Sequence, residues 1–473
     1  MSDAASVLTL PLYQARADTN ATIYLPNSVP TYSRQNTTTR TQTPRSEHLF
    51  ELRNGSKAWA LLKVSSSAPS PKSLPVFFQG ENIDCALVLR AGSRGESSIQ
   101  TIKATVSGQI ITGSRSEDIH NFLEIVHPIW SKTLSSASSS SHDNTGSPKL
   151  VGDCHWQFSI PIPSVVSREG EKVYHLPETF SDRHSDVTIR YTLAIHIVRG
   201  KLRPDSVIKT SFAYVPETRP TPASELRQLS YREGIPLLGP DADPQGWKTL
   251  QTALVTGRFF ENRPVEIQCA LSLAKPLSYT RGSVIPFYLD LFSIHNQALK
   301  LVSDPNSVVV CLRRCVRYFR ASGAHKTKVA WEESFEDVSR ASLWVPSSSR
   351  NSLHGDDGTT RHLEGEIAIP KNLKPSSSMD HFSISYTVIL RCFDVTGFKH
   401  TPIHISTTTD TSSSSASTSI PLISEPIEIA TMYADGPKPL TYAPPSYQNA
   451  NPTTRRDDAM KITLSAGGLD PMF

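Results

Sequence analysis

The 473-residue chain is short of several things at once. It has six cysteines, Cys85, Cys154, Cys269, Cys311, Cys315 and Cys392, and its opening MSDAASVLTLPLY offers no basic segment followed by an apolar one. Without a secretory leader, a disulfide framework is not expected; reduced thiols and a cytosolic location are. Cys85, Cys269 and Cys392 sit in apolar alternation and read as core residues, and the Asn-x-Ser/Thr matches at Asn20, Asn36 and Asn54 then read as chance. The longest apolar run in a strand-like setting is Val308–Leu312. A membrane-spanning helix needs about 20 such residues. Charge of one sign is lacking too: 48 Lys and Arg against 44 Asp and Glu leave a net +4, too little for a dedicated nucleic-acid binder. Catalytic signatures are missing: there is no G-x-S-x-G, H-E-x-x-H, P-loop or G-x-G-x-x-G. Asp118–His120 and Asp380–His381 place acid near imidazole with no nucleophile or metal partner in view, and read as loop residues. Cys311 and Cys315 have no second Cys/His pair, whereas structural zinc needs four ligands. No enzyme activity, cofactor or metal is expected.

Apolar content is modest as well, 38% of the chain, and proline is high at 35 residues. Part of the chain is therefore expected to stay unpacked, with two cores rather than three. What is present has period two. Ile189, Tyr191, Leu193, Ile195 and Ile197 alternate with polar residues in Thr188–Arg199. Val265, Ile267, Cys269, Leu271 and Leu273 do so in Val265–Leu273, as do Ile102–Ile110 and Cys154–Ile162. These are half-buried antiparallel strands. Further strands are expected at Trp59–Val64, Asn82–Arg90, Val207–Tyr214, Thr249–Phe260, Val284–Phe292, Ser307–Phe319, Val329–Phe335, Glu364–Ile369, Tyr386–Phe393 and Pro426–Ala430. One helix, Ala223–Glu233, carries Leu226, Leu229 and Tyr231, with Ser224 as its cap. The fold class is all-β, with sandwiches joined by Gly/Pro/Ser turns.

Proline density at Pro216–Trp247 marks an irregular connector between two sandwiches. The expected organisation is a flexible arm over 1–46, a sandwich over 47–216, a connector over 217–246, a second sandwich over 247–432 and a Pro-rich, disordered tail over 433–473. The polar stretches Ser33–Glu47, Ser131–Ser147, Pro346–Thr360 and Ser406–Ser419 read as loose insertions.

In order along the chain, VFFQGENIDCALVLR (with the turn Gly80–Ile83), SIQTIKATVSGQI (ending its strand at Val106–Gly108), YTLAIHIVRGKLRPDSVIKTSFAYVPETRP and GPDADPQGW resemble the arrestin superfamily, specifically the fungal α-arrestins, or arrestin-related trafficking adaptors. The resemblance spans about 47–432. It implies two tandem immunoglobulin-like β-sandwiches. It also implies an adaptor that recruits a HECT-type ubiquitin ligase to plasma-membrane transporters or receptors, so that ubiquitinated cargo is internalised. Such a protein works in the cytoplasm, peripherally at the plasma membrane and endosomes.

Family members recruit the ligase through PPxY motifs that bind its WW domains. Pro444, Pro445, Ser446 and Tyr447 supply one. The prolines enter an aromatic groove as a preformed polyproline II segment and the tyrosine fills a second pocket. Nothing near the motif is expected to fold over it. Val29-Pro30-Thr31-Tyr32 lacks the first proline; it reads as a loop, or, through Pro30 and Tyr32, as a weaker second ligase contact. Arg313, Arg314, Arg317 and Arg320 gather on one strand, read either as a solvated face or as a contact for anionic lipid or for acidic or phosphorylated cargo tails. A ubiquitin-independent sorting scaffold, similar to a retromer subunit, is the alternative; only the first reading needs the PPxY motif.

Overall fold

Strand after strand forms where apolar residues alternate with polar ones. The computed structural model describes residues 45–90, 98–132, 150, 152–167, 172–182, 184–200, 203–321, 329–346, 358–393, 395–401 and 420–444. Of the stretches expected to be loose, 33–44, 133–147, 347–357 and 406–419 lie outside them.

The first half contains β1 (Ser46–Asn54), β2 (Lys57–Ser66), β3 (Val76–Phe78), β4 (Asn82–Leu89), β5 (Ile99–Ile111), β6 (Ile119–Ser131), β7 (Cys154–Pro161), β8 (Val165–Ser167), β9 (Val173–His175), β10 (Phe180–Ser181), β11 (Thr188–Arg199) and β12 (Ser206–Val215). Helix α1 (Glu225–Glu233) follows. The second half contains β13 (Trp247–Thr249), β14 (Ala253–Phe259), β15 (Arg263–Ala274), β16 (Ser278–Thr280), β17 (Val284–Phe292), helix α2 (Asn296–Val302), β18 (Val310–Ala321), β19 (Val329–Arg340), β20 (Ser342–Trp344), β21 (Thr360–Ala368), β22 (Ser377–Met379), β23 (Phe382–Leu390), β24 (Phe398–His400) and β25 (Ile423–Ala430).

The fold is all-β and of sandwich type. Strands β1-β2-β4-β7 form one sheet and β3-β12-β11-β5-β6 a second, with β10 beside β11. After the helix, β20-β21-β17-β15-β14-β24 form a third sheet, with β13 beside β15. Strands β16-β25-β23-β18-β19 form a fourth, with β22 beside β23. Named strand pairings never cross α1.

The period-two expectation holds on β11 and β15: all ten apolar residues named for their inner faces are buried. Their outer faces are partly buried too. Thr192 bonds to Ser107 at 2.7 Å, and Ser272 to Thr249 at 2.9 Å, so these central strands hide polar residues only where a hydroxyl partner is supplied. Cys392, expected in the core, is only half-buried.

Several short strands escaped the pattern, and so did three longer or different elements. Strand β1 (SEHLFELRN) is an edge strand with polar residues on both faces. Strand β6 is irregular where it meets β5, with register shifts beside Lys103 and Gln109 that break the alternation, and it takes in His120, expected in a loop. Helix α2 is seven residues long and has no side-chain cap.

Helix α1 starts and stops as its sequence directs. The Ser224 side chain accepts from the Arg227 N–H, and Gly234 closes the helix in the left-handed region. Of the three residues that marked it, Tyr231 alone faces inward. Leu226 and Leu229 are exposed, whereas Arg227, Ser230 and Tyr231 are buried. The Arg227 guanidinium lies 4.6 Å from the Trp247 ring centroid and donates to the carbonyls of Gly246 and Lys275. A planar cation with five donors can use a ring face and two carbonyls together, which leucine cannot. The connector is thus built into the second half: Trp247 Nε1 also donates to Leu238 O at 2.9 Å.

On β21, Gly365 lies directly opposite Phe287 of β17. A Cβ at Gly365 would sit 2.2 Å from the Phe287 ring, which is itself fully buried. Gly365→Ala should cost about 1–3 kcal/mol of stability in denaturant unfolding. Phe287→Leu in the same chain should recover part of that loss; a wild-type midpoint for Gly365→Ala alone would contradict this packing.

Candidate functional site

The segment 431–444, expected to begin the tail, is docked along the folded body as a strap. It begins at Thr431, which trades hydrogen bonds with the connector. The Met432 N–H donates to Thr218 O at 2.9 Å, the Thr218 N–H to Thr431 Oγ1 at 2.9 Å, and Thr431 Oγ1 to Pro216 O at 2.8 Å. Thr280 Oγ1 donates to Met432 O at 2.7 Å. Arg219 then holds the Tyr433 carbonyl at 2.8 Å and Asp435 at 2.9 Å. Gly436 turns the chain at φ +113° immediately before Pro437. Beneath lies a largely apolar cavity of about 60 Å³, walled by Pro220, Tyr231, Tyr279, Tyr433, Pro437 and Pro439.

Glu366 fixes the far end. It is 4% exposed and projects from β21. The Tyr442 N–H donates to its Oε1 at 2.7 Å and the Ala443 N–H to its Oε2 at 3.2 Å. Tyr442 stacks on Tyr231 of α1, centroids 6.5 Å apart and rings 22° from parallel. Ala443 is buried and Pro444 half-buried. The strap therefore reaches to the first residue of the PPxY motif, contrary to the expectation that nothing would fold against it. Composition misled here: a Pro-rich stretch without periodicity can still be held by its backbone N–H groups and rings. Pro445, Ser446 and Tyr447 lie outside the described residues, as do Pro30 and Tyr32.

Burial pushes the Glu366 carboxyl up to about 7, against the downward pull of the two N–H groups, with Glu364 adding to the rise. Glu364, on the same face of β21, is also raised by burial, and accepts from Trp344 Nε1 at 2.9 Å. The sequence marked Glu364–Ile369 as a strand but singled out neither glutamate, because a polar alternate in a strand reads as solvent-facing.

The four arginines fall on β18, whose neighbour β19 carries Glu332, Glu333, Glu336 and Asp337. Arg313 Nε donates to Asp337 Oδ1 at 2.8 Å. Arg314, whose side chain is 12% exposed, holds Glu336 at 2.6 Å and also Asp182. Arg317 approaches Glu333 at 3.4 Å and lies 4.5 Å from the Trp331 ring centroid. Arg320 reaches Asp186 at 3.2 Å and Glu332 at 3.4 Å. A contact with anionic lipid or acidic tails presupposes arginines free to take new anions. Each has a carboxylate neighbour in the folded chain, and the Arg313 and Arg314 side chains are largely covered, while Arg317 and Arg320 remain 48% and 42% exposed. The signal was in the sequence, where WEESFED supplies the complementary strand.

Two of these pairs, Arg314–Asp182 and Arg320–Asp186, join residues of the first half to the second. Glu178 adds Arg281 at 2.8 Å and Lys374 at 2.7 Å, and Tyr174 donates to Asp380. The histidines of the two acid–imidazole pairs also meet across this junction. His120 stacks on His381 with centroids 4.3 Å apart, and the Phe319 ring lies 4.9 Å from His381. Among the described residues no group of His, Cys, Asp or Glu is placed to hold a metal ion. Burial pushes the Cys85 and Cys269 thiols up to about 12, which leaves them poor nucleophiles at neutral pH.

The raised Glu366 carboxyl has a consequence for stability. Its ordinary value is 4.5, so the folded chain holds the proton more tightly than the unfolded chain. The stability it supports is full below about pH 4.5 and is lost as pH rises through about 7. Glu366→Gln removes this dependence. In denaturant unfolding between about pH 5 and about pH 8, wild type should lose on the order of 2–3 kcal/mol more than Glu366→Gln. Parallel pH profiles would show that this carboxyl titrates as if exposed.

No protein-family model matches the chain, and no curated protein matches it either.

Proposed function

We propose that this chain is a non-enzymatic adaptor of the arrestin-related kind, two tandem sandwiches that bring a WW-domain HECT ubiquitin ligase to transporters or receptors of the plasma membrane. The observation that carries the reading is the placement of the motif. Pro444-Pro445-Ser446-Tyr447 follows closely on the strap that Arg219 holds at Tyr433 and Asp435, so a ligase bound there would be held close to the folded body. A short lead between ligase and body raises the effective concentration of one for whatever the other holds. The strand pairings support the tandem arrangement, since they divide on either side of α1. Cargo would be met through its cytosolic tail, at the plasma membrane or endosomes. No helix among the described residues is long and apolar enough to cross a membrane.

A peptide covering Thr441–Asn449 should bind a WW domain of a HECT ligase at about micromolar affinity, near −8 kcal/mol. Tyr447→Ala empties the aromatic pocket and should weaken binding at least about tenfold, by about 1.4 kcal/mol or more. The same change in the full chain should reduce ligase recruitment and slow cargo internalisation while leaving unfolding unaltered. Recruitment that persists fully after Tyr447→Ala turns attention to Pro30 and Tyr32. Persistence after Tyr32→Ala in that chain as well would replace this reading with the ubiquitin-independent scaffold.

A further inference from the structure

Glu366 makes its strap contacts at a particular place. Both carboxylate oxygens are used, and both partners are backbone N–H groups of the two residues immediately before the PPxY motif. The stack of Tyr442 on Tyr231 and the burial of Ala443 add to the same anchorage, and Pro444 remains half-buried at its end. A WW domain takes a PPxY segment as an extended polyproline II ligand whose proline rings lie in an aromatic groove. Half-buried as it stands, Pro444 does not offer its whole ring to that groove.

We infer that Glu366 and Tyr231 form an intramolecular latch at the upstream edge of the PPxY motif, so that Pro444 is fully available to a WW domain only when Tyr442–Pro444 lifts from the body. This rests on the adaptor reading and adds a control to it. The closed chain and the WW domain compete for the same short segment. The apparent affinity is then the intrinsic affinity scaled by the fraction of chains that are open. A latch open about one-tenth of the time makes the full chain bind about tenfold more weakly than the free peptide. The contacts that close it come from the second half alone and from the connector helix, so cargo or a partner that displaces either would release the motif.

The test compares affinities for one purified WW domain of a HECT ligase. The Thr441–Asn449 peptide, the full chain, and full chains carrying Glu366→Ala or Ala443→Pro are titrated side by side. Glu366→Ala removes the acceptor of both N–H groups. Ala443→Pro deletes one of the two donors without touching the body, and its direct effect on WW binding is measured in a peptide with the same change. The latch predicts that the wild-type chain binds about tenfold more weakly than the peptide and that each variant chain comes to within about twofold of its own peptide. A wild-type chain that binds as tightly as the peptide overturns the latch and leaves the adaptor reading standing. Variant chains as weak as wild type overturn it equally. A peptide that does not bind at all overturns the adaptor reading, and the latch with it.

Discussion

An ionised group taken out of water must be met by an opposite charge or by hydrogen bonds, and in this protein that requirement falls at the joints. Glu178 is answered by Arg281 and Lys374, and Arg314 by Asp182 and Glu336. Arg227 is answered by two carbonyls and a tryptophan face, and Glu366 by two N–H groups of the strap. In each case groups far apart in the chain are held by a charge that neither side could bury alone. The sheets supply apolar interior; the buried charges decide which surfaces meet.

That division explains what the sequence made legible. Period two on Thr188–Arg199 and Val265–Leu273 identified strands and their inner faces because burial of alternate side chains is a local property. Ser224 and Gly234 bracket α1 for the same reason. The inward turn of Arg227 was not legible, since only Trp247 and the carbonyls of Gly246 and Lys275, brought in by folding, make a buried guanidinium tolerable. The pairing of Arg313, Arg314, Arg317 and Arg320 with WEESFED was half legible: both strands were recognised, but not that they are neighbours. The contact of Glu366 with Ala443 spans 77 positions and leaves no mark in composition.

The strap illustrates how a segment without periodicity can be part of a fold. Proline sets backbone angles in advance and loses little freedom on docking, so a few well-placed anchors suffice. Here they are Thr218, Arg219, Tyr231 and Glu366, drawn from the connector, α1 and β21. The connector thereby serves twice, fastening to Trp247 on one side and to the strap on the other. Its prolines marked a boundary in the sequence; in the structure the boundary is a structural seat.

Whether the strap belongs to the folded body decides how the ligase-binding motif is presented. Amide hydrogen exchange of the full chain at Tyr442 and Ala443 measures this most directly, because those two N–H groups are the ones Glu366 holds. Both should exchange slowly, with protection closer to that of β21 than to that of a free peptide. Exchange at both positions as fast as in the isolated Thr441–Asn449 peptide would contradict this placement of the strap.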